Sequence, residues 1–217
     1  MAIDGPSGSG KSTVARAVGA ALGLEVLDTG AMYRAVAFGV LDADLALEDG
    51  AAAAALTRNA SIEVGDGATH LNGVDISDAI RGPEVTAAVS VVAAHPEVRA
   101  ELVARQRAWI ETRGGGVVEG RDIGSVVFPD APVKVFLTAS NNERARRRQV
   151  DETAARREVS VGELRDAMAR RDSADSTRAA SPLRTAHGAN IVDTTGRTPE
   201  DIVAEIVAAF RAAEGAR

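Results

Sequence analysis

With 217 residues, 45% of them hydrophobic, the chain is long enough for one full-sized α/β domain with its own core and room for an inserted subdomain. It holds no cysteine, which excludes disulfides, thiolate metal sites and cysteine nucleophiles. A net charge of −6 speaks against a general nucleic-acid binder, and no run approaches the roughly 18 apolar residues of a membrane span.

The opening Met1-Ala2-Ile3-Asp4-Gly5 lacks the basic and apolar regions of a secretory signal, so a reducing cytoplasm is the expected compartment. Residues 2–3 read as a stub of strand. Val14, Val18, Ala21 and Leu22 recur at helical spacing over 11–22, and Gly23 is a natural stop. Residues 25–27 predict a short buried strand, followed by a helix from near Ala31. The alanine-rich stretch 51–56 predicts another helix. Residues 61–76 change character: strand signals alternate with the turn pairs Gly65-Asp66-Gly67 and Asn72-Gly73, the pattern of a small antiparallel insert.

Helices are then expected over 84–94 and 96–112, the second with Val98, Leu102, Trp109 and Ile110 as its apolar face. The α/β rhythm resumes with buried runs at 116–118 and 133–137, a polar helix over 141–157 and a helix over 161–171. The last strand is 191–193, and a capping-box-like start at Thr198 opens a closing helix through Ile202, Val203, Ile206, Val207 and Phe210. Five buried strands alternating with helices imply a doubly wound parallel sheet, with ligands at the carboxyl ends of the strands.

Four stretches carry chemistry. Gly5-Pro6-Ser7-Gly8-Ser9-Gly10-Lys11-Ser12 matches G-x-x-x-x-G-K-[ST] between a strand and a helix, the setting of a P-loop. Its backbone N–H groups would wrap the phosphates of ATP, Lys11 would reach the β- and γ-phosphates, and Ser12 would offer its hydroxyl to Mg²⁺. Asp28-Thr29-Gly30-Ala31-Met32-Tyr33-Arg34 combines a hydroxyl, a helix start and an arginine, which suits a second phosphate or simply a capped helix. Glu119-Gly120-Arg121-Asp122-Ile123-Gly124 sets a charged pair between glycines after a buried strand. There Asp122 could hold Mg²⁺ through water or bind a substrate base while Arg121 faces a phosphate; a structural salt bridge is the competing reading. The fourth stretch, 170–178, is a charged loop by itself.

Arginine dominates the cations, 23 against two lysines, and eleven arginines fall between 144 and 184. Solvated helix faces account for such a run, and so does a phosphate-gripping lid that shuts water out of a transfer reaction. His70, His95 and His187 share no metal-ligand spacing, and the few aromatics form no stacking array for single strands.

Together the blocks GPSGSGKST (5–13), LDTGAMYRA (27–35), SVVAAHPEVR (90–99), EGRDIGSVVFPDAPVKVFLTAS (119–140) and RRDSADSTRAASPL (170–183) resemble bacterial cytidylate kinases. They stand in the family's order across nearly the whole chain, and the GRDIG-x-VVFPDA block is the most specific. The resemblance implies an α/β fold of the P-loop NTPase type, a doubly wound parallel five-stranded sheet with a small antiparallel NMP-binding insert and a helical lid. In a single kinase domain, the core would be 1–40, 113–140 and 186–217, the insert about 41–112 and the lid about 141–185.

By the same resemblance, residues 5–13, ending on Thr13, would bind ATP. Thr29, Arg34 and Arg121 would hold the acceptor phosphate, with Tyr33 beside them. Ser90, Arg99, Asp122 and Arg178 would read the cytosine, and Arg171 and Asp175 the ribose. Lid arginines between 144 and 157 would reach the transferring phosphoryl group, so Arg148 is counted as catalytic with Lys11, Arg121, Asp122 and Arg171. The family usually carries serine or threonine at position 29, which Thr29 fits though it is bulkier than serine, and often several more residues of first strand, so the natural start is expected to differ from Met1. The implied reaction is in-line transfer from ATP·Mg²⁺ to CMP or dCMP by a monomer without nucleic-acid or membrane partners. Adenylate- or shikimate-type kinases are the rivals within enzymes. A nucleotide-gated switch is the rival outside them, weakened by the absence of N-K-x-D.

Overall fold

The computed structural model describes residues 1–65, 67–154 and 156–215. Asp66 of the first expected hairpin turn and Ala155 of the expected polar helix therefore lie outside the described residues. The main sheet has five parallel strands in the order β2-β6-β1-β7-β8. These are β1 (Ala2–Asp4), β2 (Val26–Asp28), β6 (Val117–Gly120), β7 (Lys134–Thr138) and β8 (Asn190–Asp193). A second, antiparallel sheet joins β3 (Ile62–Gly65), β4 (Ala68–Leu71) and β5 (Val74–Asp75). The chain divides into two compact units, Met1–Glu25 with Val117–Arg217, and Val26–Gly116.

In the first unit every residue of β1 and β6 is buried, as covering both faces of a parallel sheet demands. The register Asp4↔Gly120 ends β1 and β6 level, while β7, paired Asp4↔Phe136, runs on to Thr138, and Val135↔Asn190 begins the pairing of β8. Helix α1 (Lys11–Leu22) ends where the sequence predicts, at Gly23 in the left-handed region (φ 65°), whose N–H reaches back to the last turn. It packs on α8 (Pro199–Gly215), and Val14, Val18, Ile202 and Ile206 close the core between them.

Helices α6 (Asn141–Ala154) and α7 (Val161–Thr177) pack against each other. A capping box starts α7: Ser160 accepts from the N–H of Glu163, and the Glu163 carboxylate accepts from the N–H of Ser160. The sequence predicts a helix ending at Arg171. The helix does not stop at Arg171; it runs through Thr177 and converts most of the expected charged loop into regular structure. Arg171, Asp175 and Arg178 thereby fall three or four residues apart, on one face.

The second unit takes in β2 and α2 (Thr29–Asp42), where the family resemblance implies a core of 1–40. The Asp28 carboxylate accepts from the N–H of Ala31 at 3.0 Å, so α2 starts at Thr29 and not near Ala31. Helices α3 (Gly50–Asn59), α4 (Pro83–Val92) and α5 (Pro96–Arg113) complete the unit, α4 on α2 and α5 on α3. Asn72 and Gly73 both take positive φ (52° and 80°) in a tight hairpin turn, as the Asn-Gly pair predicts. On α5 only part of the predicted face reaches the core: Val98 and Leu102 are fully buried, while Trp109 is half-covered, with the Arg113 guanidinium 4.5 Å from its ring.

Candidate active site

The loop from Gly5 to Lys11 is held from three sides. A Cβ on Gly5 would run into the carbonyl oxygen of Leu137 on β7, so no other residue fits there. Gly8 (φ 72°) is wedged against the Arg144 carbonyl and the Met168 side chain, and Gly10 (φ 89°) turns the chain into α1. Lys11 is buried and donates from Nζ to the Pro6 carbonyl at 2.8 Å, curling its ammonium over the loop. Ser7 is gripped at both backbone groups. Its N–H donates to Asp172 Oδ1 at 3.2 Å, and its carbonyl accepts from Arg144 Nη1 at 2.9 Å. Arg144 is also paired with Asp172, so one residue from each of α6 and α7 fastens this loop. Ser12 is half-buried at the start of α1 and Thr13 is exposed.

Next to the loop lies a cluster of charges. Arg121 forms an ion pair from Nε to Asp175 Oδ2 at 2.9 Å and donates from Nη1 to the Gly5 carbonyl at 2.7 Å. Arg178 reaches Asp122 at 3.5 Å and Asp175 at 4.0 Å. Burial pushes the Asp175 carboxyl up, but Arg121, Arg171 and Arg178 outweigh it and hold it below its ordinary value. Arg171 sits in the same field. Burial, then the neighbouring Arg121, lower its guanidinium to about 10, and its buried Nε has no hydrogen-bond partner among the described residues. A buried donor without an acceptor is costly, and an anionic or hydroxylated ligand would satisfy it. Four of the residues picked from sequence, Arg121, Asp122, Asp175 and Arg178, thus form one network, with Arg171 electrostatically coupled to it.

Arg148 is engaged in α6 itself. Its Nη2 lies 2.6 Å from Glu152 Oε1, and Arg157 takes the other carboxylate oxygen. Glu152 is buried; burial raises its carboxyl, and the two arginines more than reverse that.

In the second unit, Thr29 is buried in the first turn of α2. Arg34 donates to the Ile80 carbonyl at 2.7 Å and to Thr86 Oγ1 at 2.9 Å. Arg99 is buried with its guanidinium 5.4 Å from the centre of the Tyr33 ring, a cation–π arrangement. The Ser90 hydroxyl on α4 is buried without a hydrogen-bond partner among the described residues. Tyr33, Arg34 and Arg99 are therefore positioned within one unit, on α2 and α5.

Sequence reasoning missed two residues. Asp4, 2% exposed, accepts at 2.7 Å from the N–H groups of both Ile123 and Gly124, and burial raises its carboxyl to about 6. Thr194, fully buried after β8, donates to the Thr138 carbonyl at 3.0 Å and accepts from Arg147 at 2.9 Å. Asp4 ends β1 and Thr194 follows β8, at the carboxyl ends of strands where ligands are expected, and that position was the available signal.

The family model described as Cytidylate kinase matches residues 1–212. The chain belongs to the cytidylate kinase family. It is 46% identical to the cytidylate kinase of Desulfitobacterium hafniense (strain Y51), over 97% of this chain and 91% of that protein. It is 48% identical to that of Corynebacterium glutamicum, over 95% and 92%. A bifunctional pantoate ligase/cytidylate kinase of Trichormus variabilis is 49% identical over 95% of this chain, which spans 40% of that longer protein. Membership in the family sets the adenylate- and shikimate-type alternatives and the non-enzymatic switch aside. Among the described residues no helix is long and apolar enough to cross a membrane.

Proposed function

We propose that this chain transfers the γ-phosphoryl group of ATP to CMP or dCMP, giving CDP or dCDP. The observation that supports it best is the double engagement of Arg121. One guanidinium ties the P-loop carbonyl of Gly5 to Asp175, so the residues assigned to donor and acceptor share one hydrogen-bonded network.

Lys11 and the loop N–H groups bind and neutralise the donor phosphates. Ser12 would supply a hydroxyl to Mg²⁺. So few protein oxygens suit an ion that keeps phosphate oxygens and water as its other ligands. When bound, Mg²⁺ neutralises charge on the transferring group. Thr29, Arg34 and Arg121 hold the acceptor phosphate; Ser90, Arg99, Asp122 and Arg178 read the base; Arg171 and Asp175 contact the ribose. Helices α6 and α7 act as the lid, and Arg148 reaches the phosphoryl group by exchanging Glu152 for it. Transfer is in-line without a phosphoenzyme, and base choice follows from leaving buried polar groups unpaired by the wrong base. A cytoplasmic monomer completes this reading.

The test is phosphoryl transfer from ATP·Mg²⁺ to CMP, dCMP, UMP, AMP and shikimate. Fast CDP formation is expected, with CMP and dCMP ahead of UMP and AMP poor. ATP binding without transfer to any of these acceptors would refute the assignment.

A further inference from the structure

Residues Ile123–Val127 form a short π-helical turn directly after Arg121-Asp122. The first N–H groups of any helical turn lack intrahelical acceptors, and an aspartate in the preceding position ordinarily supplies one from its own carboxylate. Asp122 stands in that position but makes no such bond. The N–H groups of Ile123 and Gly124 are instead both taken by Asp4, one on each carboxylate oxygen, at 2.7 Å. The side chain of Asp122 points elsewhere, to Arg178 at 3.5 Å.

We propose that Asp4 is a positioning residue: by capping the 123–127 turn in place of Asp122, it holds the Asp122 carboxylate in the acceptor-reading network. The inference rests on the proposed CMP kinase reading and adds to it a residue that touches no substrate. The supporting geometry is continuous. Asp4 is the last residue of β1 and is level with Gly120 of β6, so a buried strand sets the carboxylate at a fixed height beneath the turn. A Cβ on Gly124 would stand only 3.1 Å from the Lys134 side chain and 3.3 Å from Ala186, so the turn lies close against β7 with its N–H within reach of Asp4. Val126 and Val127 then donate to the Asp122 carbonyl at 2.9 and 3.2 Å, closing the turn. Without Asp4 the N-cap position of Asp122 makes its own carboxylate the acceptor that a helical start ordinarily draws on, and turning back to the turn would take that carboxylate away from Arg178.

The prediction concerns base choice, which a merely structural residue would not alter. Asp4→Asn keeps one acceptor oxygen and sets an NH₂ against the other N–H. It should raise KM for CMP about 10- to 100-fold, the loss of one charge-assisted hydrogen bond, with a smaller change in kcat. The preference for CMP over UMP should fall with it, while calorimetric ATP affinity stays near that of the parent. Combining Asp4→Asn with Asp122→Asn should cost much less than the product of the two single losses, because both act through one carboxylate. An unchanged CMP KM in folded Asp4→Asn protein would overturn the proposal. So would ATP affinity falling as far as CMP affinity, or fully multiplicative losses in the double variant. Amide exchange in the substrate-free parent protein needs neither a variant nor activity: Ile123 and Gly124 should be among the slowest amides, and fast exchange at both would also overturn it. If the parent phosphorylates no acceptor, the function reading fails while the exchange result still reports on the clamp.

Discussion

In the P-loop, Gly5, Gly8 and Gly10 adopt shapes that side chains would forbid, and only Lys11 and Ser12 bring side-chain chemistry. In α6 and α7 the backbone is ordinary helix and side chains carry the charge, with Arg144, Arg147 and Arg148 each seated against a carboxylate or carbonyl. The first arrangement is paid for in backbone conformation and is fixed before any ligand arrives. The second can be rearranged, because an arginine that leaves Glu152 or Asp172 exchanges one anion for another. Fixed donors beside exchangeable ones are what a kinase needs, which must grip ATP in the open and close around the transferring group afterwards.

The largest expected effect breaks the fixed side. Lys11→Ala should lower transfer about 100- to 1000-fold in a steady-state assay, by analogy with removing one preorganised charge donor. Gly8→Ala tests the backbone directly. A methyl group there meets the Arg144 carbonyl at 3.0 Å from a left-handed conformation, so chemical denaturation should show a loss of about 2–3 kcal/mol.

Acidity separates two carboxylates. Asp4 titrates near 6 in the folded protein against 3.8 ordinarily, so the native state binds the extra proton. Stability should therefore fall as pH rises from about 4 to about 6, on the order of 2 kcal/mol, and Asp4→Asn should flatten that slope in urea melts. Asp175 behaves oppositely. Its carboxyl is held below 3.8, so its contribution is present above that pH and vanishes as pH falls further; Asp175→Asn should flatten only that acid limb. The smallest effect touches the exchangeable side. Glu152→Gln releases Arg148 and Arg157, and should cost about 1 kcal/mol of stability while lowering KM for ATP by roughly twofold.

Much of the fixed side was legible in the sequence, because it is local. Ala2–Ile3, the glycine pattern, helix 11–22 and its stop at Gly23 involve neighbours in the chain. The Asn72-Gly73 turn is legible for the same reason. What escaped is long-range. Helix α7 runs on through Arg-Asp-Ser-Ala-Asp-Ser-Thr, which has no apolar period to reveal it; Asp175 there is held by Arg121, 54 residues earlier. Asp4 reads as the polar end of a strand, and its partner Ile123 lies 119 residues away. The acceptor residues of Val26–Gly116 were recognisable one by one from the family blocks, but no spacing rule announces that Arg99 stacks on Tyr33.

Trp109, half-covered on α5 beneath Arg113, is the only tryptophan in the chain, and there is one tyrosine, Tyr33, in the same compact unit. Tryptophan and tyrosine emission therefore originates wholly from Val26–Gly116, whereas far-ultraviolet dichroism averages all the helices. Followed together through a thermal ramp, the two signals form a built-in pair of thermometers: coincident midpoints mean one cooperative melt, and separated midpoints mean that the two units come apart in succession.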